Sequence, residues 1–151
     1  MSDTHSEPST LARVSQELAA LVARVSRSTV LVDGGGFRPG TGTIVGPDLV
    51  LTANHVVDRD DNLAVRTGDD RTLDAVLVGR DPASGLAVLR VAGLDGVALT
   101  PASETTPLTA RVGSLVAAVS RSWEGHQTAS LGVIGAVAGP VRVGRGVRFE
   151  Q

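Results

Sequence analysis

The chain has 151 residues, 14 basic and 16 acidic side chains and a formal net charge of −2, a balance that gives no strong attraction to nucleic acid or to an anionic membrane. With 42% apolar residues and a mean hydropathy of +0.15 it can bury a core, which excludes a disordered chain. The absence of cysteine excludes disulfides, thiolate catalysis and zinc–thiolate sites, and two Phe, one Trp and no Tyr leave little for base stacking or an aromatic cage.

Residues 1–9 are polar and acidic, with no apolar stretch of the kind a secretory signal carries. They read as a flexible tail, and the expected compartment is the cytoplasm. Leu11, Val14, Leu18, Leu21, Val22 and Val25 then recur at helical spacing, which predicts a helix over 10–27. Its apolar face either packs on the domain or forms an oligomer contact. After Ser28 the pattern changes to short β-rich runs at Thr29–Val32, Thr41–Val45 and Leu49–Leu51, separated by DGGG, RPG and GPD turn signals. Further runs follow at Leu63–Thr67, Leu73–Val78, Leu86–Val91, Leu115–Val119, Thr128–Val137 and Val141–Val147. Their spacing suggests an all-β sandwich or barrel rather than a parallel α/β sheet. Between Leu94 and Val112 the β pattern fades around Pro101 and Pro107, so the boundary between two halves falls there. No run approaches the ~18 apolar residues that a membrane helix needs.

His55 stands in LVLTANHVVD, just past the end of a short apolar strand. A rigid strand end can hold an imidazole at a cleft in the way a general base requires. The surrounding residues are similar to those of the trypsin-like serine proteases, in particular the HtrA-type branch. In that family a Gly-Ser/Thr-Gly strand leads through a turn to Leu-Thr-x-x-His-Val-Val. Here Gly40, Thr41 and Gly42 open the strand, GPD makes the turn, and Leu51, Thr52, His55, Val56 and Val57 complete the match. The string VLVGRDPASGLAVLRV aligns Val78, Gly79, Arg80, Asp81, Leu86, Ala87, Val88, Leu89 and Arg90 with the family segment that carries the triad acid. Arg111, Val112 and Gly113, followed by LVAAVS and SLGVIGAVAGP, resemble the opening of the second barrel.

The resemblance covers roughly residues 16–150. It implies an all-β, trypsin-like double β-barrel with a short N-terminal helix, the first barrel complete and the second partial. The domain division expected is a tail at 1–9, a helix at 10–27, a first β-barrel at 28–98, a connector at 99–112 and an incomplete second β-barrel at 113–151. It further implies His55 as the catalytic base, no cofactor and a polypeptide substrate or peptide ligand. A further chain completing the second barrel is a second expected partner.

Two departures from the family pattern bear on mechanism. Gly85 occupies the triad Asp position, and the chain stops at Gln151 before any Gly-x-Ser-Gly-Gly segment. The expectation is a serine-endopeptidase domain that is catalytically incomplete, or alternatively a non-catalytic pseudoprotease that binds a peptide or protein. Asp58, Asp60, Asp61 and Asp81 are the carboxylates near enough in sequence to replace the missing acid, and none is expected to do so. Ser114 and Ser130 fall in strand segments of the second half, away from the nucleophile turn. His126, with Trp123 and Glu124, reads as a polar hairpin tip. Gly34–Gly36 lack the frame of a nucleotide-binding loop, Arg142, Arg145 and Arg148 do not share one strand face, and no histidine pair has metal-ligand spacing.

Overall fold

The computed structural model describes residues 9–95, 98–99 and 111–137, together with the backbone of 142–143 and 147–148. The tail at 1–8, most of the expected connector and the side chains of Arg142, Arg145 and Arg148 lie outside these residues.

Helix α1 spans Thr10–Ser26, with the Ser9 hydroxyl capping the Ala12 N–H. Six strands follow: β1 (Thr29–Asp33), β2 (Gly40–Ile44), β3 (Leu49–Ala53), β4 (Leu63–Arg66), β5 (Thr72–Asp81) and β6 (Leu86–Val91). They form a closed antiparallel barrel in the order β1, β2, β3, β6, β5, β4, with β4 closing back on β1 through the pair Val32 and Val65. A hairpin, β7 (Leu115–Arg121) and β8 (Gln127–Val133), makes a separate two-stranded sheet. A short pair, β9 (Arg142–Val143) and β10 (Val147–Arg148), completes the described strands. The all-β expectation of one closed barrel, a second partial sheet and a short N-terminal helix therefore holds.

Alternation of side chains along each strand explains the barrel core. Val30, Val32, Val50, Val65, Leu89 and Val91 point inward and are at most 1% exposed. The interior is so closely filled that a Cβ at Gly42 would lie 2.6 Å from a Val50 methyl and 2.7 Å from a Val32 methyl. Closure leaves no free edge on these six strands. One irregularity is present: the β5–β6 register shifts between Leu77 and Gly79, a bulge that bends the outer face of β5.

The β7–β8 hairpin is tied to the barrel by Arg121. Its guanidinium donates to the carbonyls of Thr29 at 3.2 Å, Gly125 at 3.2 Å and Ser26 at 3.3 Å. Its backbone N–H donates to Thr41 Oγ1 at 2.9 Å. One side chain thus joins the end of α1, the start of β1 and the hairpin tip. By contrast, α1 itself is poorly covered, and Ser26 in its last turn is its one buried residue.

Candidate functional site

Strand β3 ends at Ala53, which pairs with Leu86 at the start of β6. The chain then makes a single 3₁₀ turn, Asn54–Val56, that lifts His55 off the barrel rim. Three contacts fix this turn. The Asn54 N–H donates to the Gly85 carbonyl at 2.7 Å, the Val57 N–H to the Asn54 carbonyl at 3.1 Å, and the Asp58 N–H to the Gly34 carbonyl at 3.0 Å. Val56 and Val57 are buried behind the imidazole, which is itself exposed. The DGGG loop passes against this segment so closely that a Cβ at Gly34 would overlap the Val56 carbonyl oxygen. Glycine is required there by backbone approach, consistent with its reading as a loop and not a phosphate cradle.

Gly85 closes the turn between β5 and β6 with φ +74°, and its carbonyl is the acceptor just described. Gly85, the position that the family resemblance sets against the triad acid, is thus hydrogen-bonded to the residue before His55. No side chain reaches out from it.

Two of the neighbouring carboxylates, Asp81 and Asp60, are engaged elsewhere. Asp81 accepts the N–H groups of Ala83 at 3.0 Å and Ser84 at 3.2 Å. Hydrogen bonding from Ser84, then from Ala83, holds its carboxyl below the ordinary value against the opposing effect of desolvation. Asp60 pairs with Arg80, which also donates to the Val57 carbonyl at 3.0 Å. Asp58 sits against Gly36, whose Cβ would lie 2.5 Å from its Oδ2. Among the described residues, no carboxylate comes within 4.0 Å of a ring nitrogen of His55.

The other residues singled out in the sequence do not converge on His55. His126 faces Glu124 across the exposed β7–β8 tip at 3.6 Å, Ser130 lies in β8, and Ser114 precedes β7. No group of three His, Cys, Asp or Glu residues with metal-binding geometry occurs among the described residues. Sequence reasoning missed the Arg121 clamp and the Asn54–Gly85 hydrogen bond. Neither leaves a periodic or motif signal, because each joins a side chain or amide to a backbone carbonyl far along the chain.

The sequence profile of the trypsin-like peptidase domain matches residues 40–149. Serine protease PepD of Mycobacterium tuberculosis is 32% identical over 134 residues, covering 80% of this chain and 28% of that protein. A probable periplasmic serine endoprotease DegP-like of Pseudomonas savastanoi is 35% identical over 98 residues, covering 64% of this chain and 20% of that protein. The periplasmic serine endoprotease DegP of Escherichia coli K12 is 30% identical over 100 residues, covering 65% and 21%. The chain thus spans between a fifth and just over a quarter of the length of these relatives. A crystal structure of an inactive form of Rv3671c from M. tuberculosis H37Rv superposes with a TM-score of 0.67 at 29% identity, covering 82% of this chain and 59% of that one. The serine endoprotease from Yersinia pestis shares the fold at a TM-score of 0.71 and 24% identity, over 87% of this chain and 46% of that one.

The DegP-type names overturn the cytoplasmic expectation, because these relatives are periplasmic enzymes. The composition of the first nine residues describes that stretch alone and carries no information on where a trypsin-like domain works. The profile match over most of the chain and the closed six-stranded barrel lead to the same assignment: this chain belongs to the trypsin-like peptidase domain family, in its HtrA-type branch.

Proposed function

We propose that residues 1–151 form a serine-endopeptidase-type domain in which His55 is the general base and no acid orients it, so that this polypeptide alone hydrolyses no peptide bond. The observation that carries this reading is the Asn54–Gly85 hydrogen bond at 2.7 Å, which sets a residue without a side chain beside the histidine turn. In a Ser-His-Asp triad the carboxylate holds the imidazole in the tautomer that accepts the serine proton and stabilises the imidazolium formed next. Losing that carboxylate alone lowers turnover by about 10⁴ in the chymotrypsin-type triad. The family motif carries no nucleophilic serine onto any position of these residues. The test is labelling by a fluorophosphonate probe. No label on the isolated protein is expected. Labelling of a complex, abolished by His55→Ala, would instead show that a second chain supplies the hydroxyl.

A second reading has one specific observation behind it. Position 85 lies inside the barrel sequence, so its glycine favours a domain that holds a polypeptide without cleaving it. The ligand is then a peptide or a further chain that adds strands beside β8, which among the described residues pairs with β7 alone. A pull-down that enriches no polypeptide would remove this reading.

A further inference from the structure

A cavity of about 380 Å³ lies between the last turn of α1, the β4–β5 turn and the β7–β8 hairpin, and none of its lining residues belongs to the histidine turn. Its floor is apolar. Val30 of β1 and Ile44 of β2, 1% and 2% exposed, close it from the barrel side, and Ala23 lines it from α1. Its walls carry three arginines, Arg27, Arg71 and Arg121, against two aspartates, Asp69 and Asp95. Both aspartates pair with Arg71, at 2.8 Å and 2.6 Å. Arg27 and Arg121 have no carboxylate within 4.0 Å among the described residues. One positive charge is thus left over on the walls. A monoanion neutralises it, whereas a dianion overshoots and meets the field of Asp69 and Asp95.

Arg121 is the least compensated of these groups. Half-buried, it donates from Nε to the Thr29 carbonyl, from Nη1 to that of Gly125 and from Nη2 to that of Ser26. Carbonyls satisfy its hydrogen bonds without cancelling its charge, and a cation partly withdrawn from water favours an anion beside it. A guanidinium has five N–H groups, so one remains on each terminal nitrogen, enough to take both oxygens of a carboxylate.

We propose that this cavity is a binding site for a monocarboxylate with a short apolar body. Arg121 and Arg27 hold the carboxylate, while Val30, Ile44 and Ala23 cover the body. The volume falls at the lower end of small-molecule pockets, and so small a ligand binds with a dissociation constant of about millimolar order. The same chemistry is carried by a free short-chain acid and by the C-terminal residue of a polypeptide. The polypeptide end brings an amide N–H as well, for which Gln127 and the two aspartates on the walls offer acceptors.

Titration calorimetry on the full 151-residue chain with hexanoate, N-acetyl-leucine and the uncharged N-acetyl-leucinamide tests this. Both carboxylates bind at about millimolar concentration, and the amide binds at least about tenfold more weakly. Tighter binding of N-acetyl-leucine identifies a chain terminus as the source, and tighter binding of hexanoate a free acid; either supports the site. Arg27→Gln, at an exposed residue with no ion pair to lose among the described residues, weakens both carboxylates severalfold. Ala23→Glu, which sets a third carboxylate on the wall, abolishes binding, and Arg38→Gln, outside the cavity, changes neither affinity. Amide shifts of the wild-type chain give a readout that does not depend on any variant folding, with Gly68 and Gln127 of the cavity wall moving on titration. The proposal is overturned if neither carboxylate binds, if the amide binds equally well, or if inorganic phosphate binds more tightly than either. It is also overturned if Ala23→Glu leaves binding intact, if Arg38→Gln weakens it as much as Arg27→Gln does, or if the amides of Gly68 and Gln127 stay still.

Discussion

The backbone N–H of Asn54 donates to the Gly85 carbonyl at 2.7 Å, so the turn that presents the imidazole and the β5–β6 turn that ends at Gly85 are one hydrogen-bonded unit. The bond uses only main-chain atoms. Any side chain placed at position 85 leaves it intact, provided the backbone tolerates the substitution.

That tolerance is limited by conformation. Gly85 has φ +74° and no atom within 4 Å of where a Cβ would stand, so the cost of a substitution comes from the backbone alone. Gly85→Ala is expected to lower stability by about 1 kcal/mol, and Gly85→Asn by less, since Asn adopts this region more readily. Urea denaturation of the two variants beside wild type measures the difference.

Asp81 braces the same turn. Its folded carboxyl lies below its ordinary value, chiefly through Ser84 and then Ala83. A depressed carboxyl adds stability that is present above the unfolded value, about 3.9, and is lost as pH falls through the folded one. Asp81→Asn is therefore expected to be less stable than wild type at neutral pH and to close that gap progressively below about pH 4. Thermal melts across the acid range check this. Asp69, also lowered through Thr67 and Arg71, maintains part of the acid dependence in that variant.

Arg121 holds α1, β1 and the β7–β8 hairpin through three carbonyls. Hydrogen bonds from a charged donor are each worth roughly 1.5–3 kcal/mol, reduced here by partial exposure. Arg121→Ala is expected to cost on the order of 2 kcal/mol, and Arg121→Lys to recover only a part, because one ammonium group cannot span the three acceptors. Denaturation gives the total, and hydrogen exchange in β7 and β8 is expected to accelerate more than in β3 and β6.

The barrel interior sets a further limit. At Gly42 a methyl group would meet Val50 at 2.6 Å, Val32 at 2.7 Å and Val30 at 3.1 Å. Gly42→Ala is expected to destabilise by about 1–3 kcal/mol through overpacking, and Gly42→Ala with Val50→Ala to recover some of that loss. Chemical denaturation of the single and double variants checks the coupling.

Much of the barrel was legible because each strand is short, half-buried and fenced by Gly, Pro or Asp. Leu86–Val91 coincides with β6, while the run at Leu49–Leu51 falls short of β3 because Thr52 and Ala53 carry no strong apolar signal. The run at Leu73–Val78 misses the end of β5, where the bulge at Gly79 carries the strand on to Asp81. In the second half, β8 begins at Gln127 and ends at Val133 instead of Val137, since an apolar sequence alone cannot mark where pairing to β7 stops. The histidine was found through its motif, and its surroundings were not. Nothing in the composition of DRDD and RDPASG reveals that Asp60 pairs with Arg80 and that Asp81 caps its own turn. Those commitments depend on strands β4 to β6 folding back over the loop.

The most direct test of the central claim is hydrolysis of labelled casein by the purified 151-residue protein, with His55→Ala prepared identically. Equal background rates are expected from the two, since the imidazole has no carboxylate within 4.0 Å among the described residues and the proposed reading assigns it no nucleophilic serine. Cleavage by the wild-type chain that disappears in His55→Ala would contradict the account.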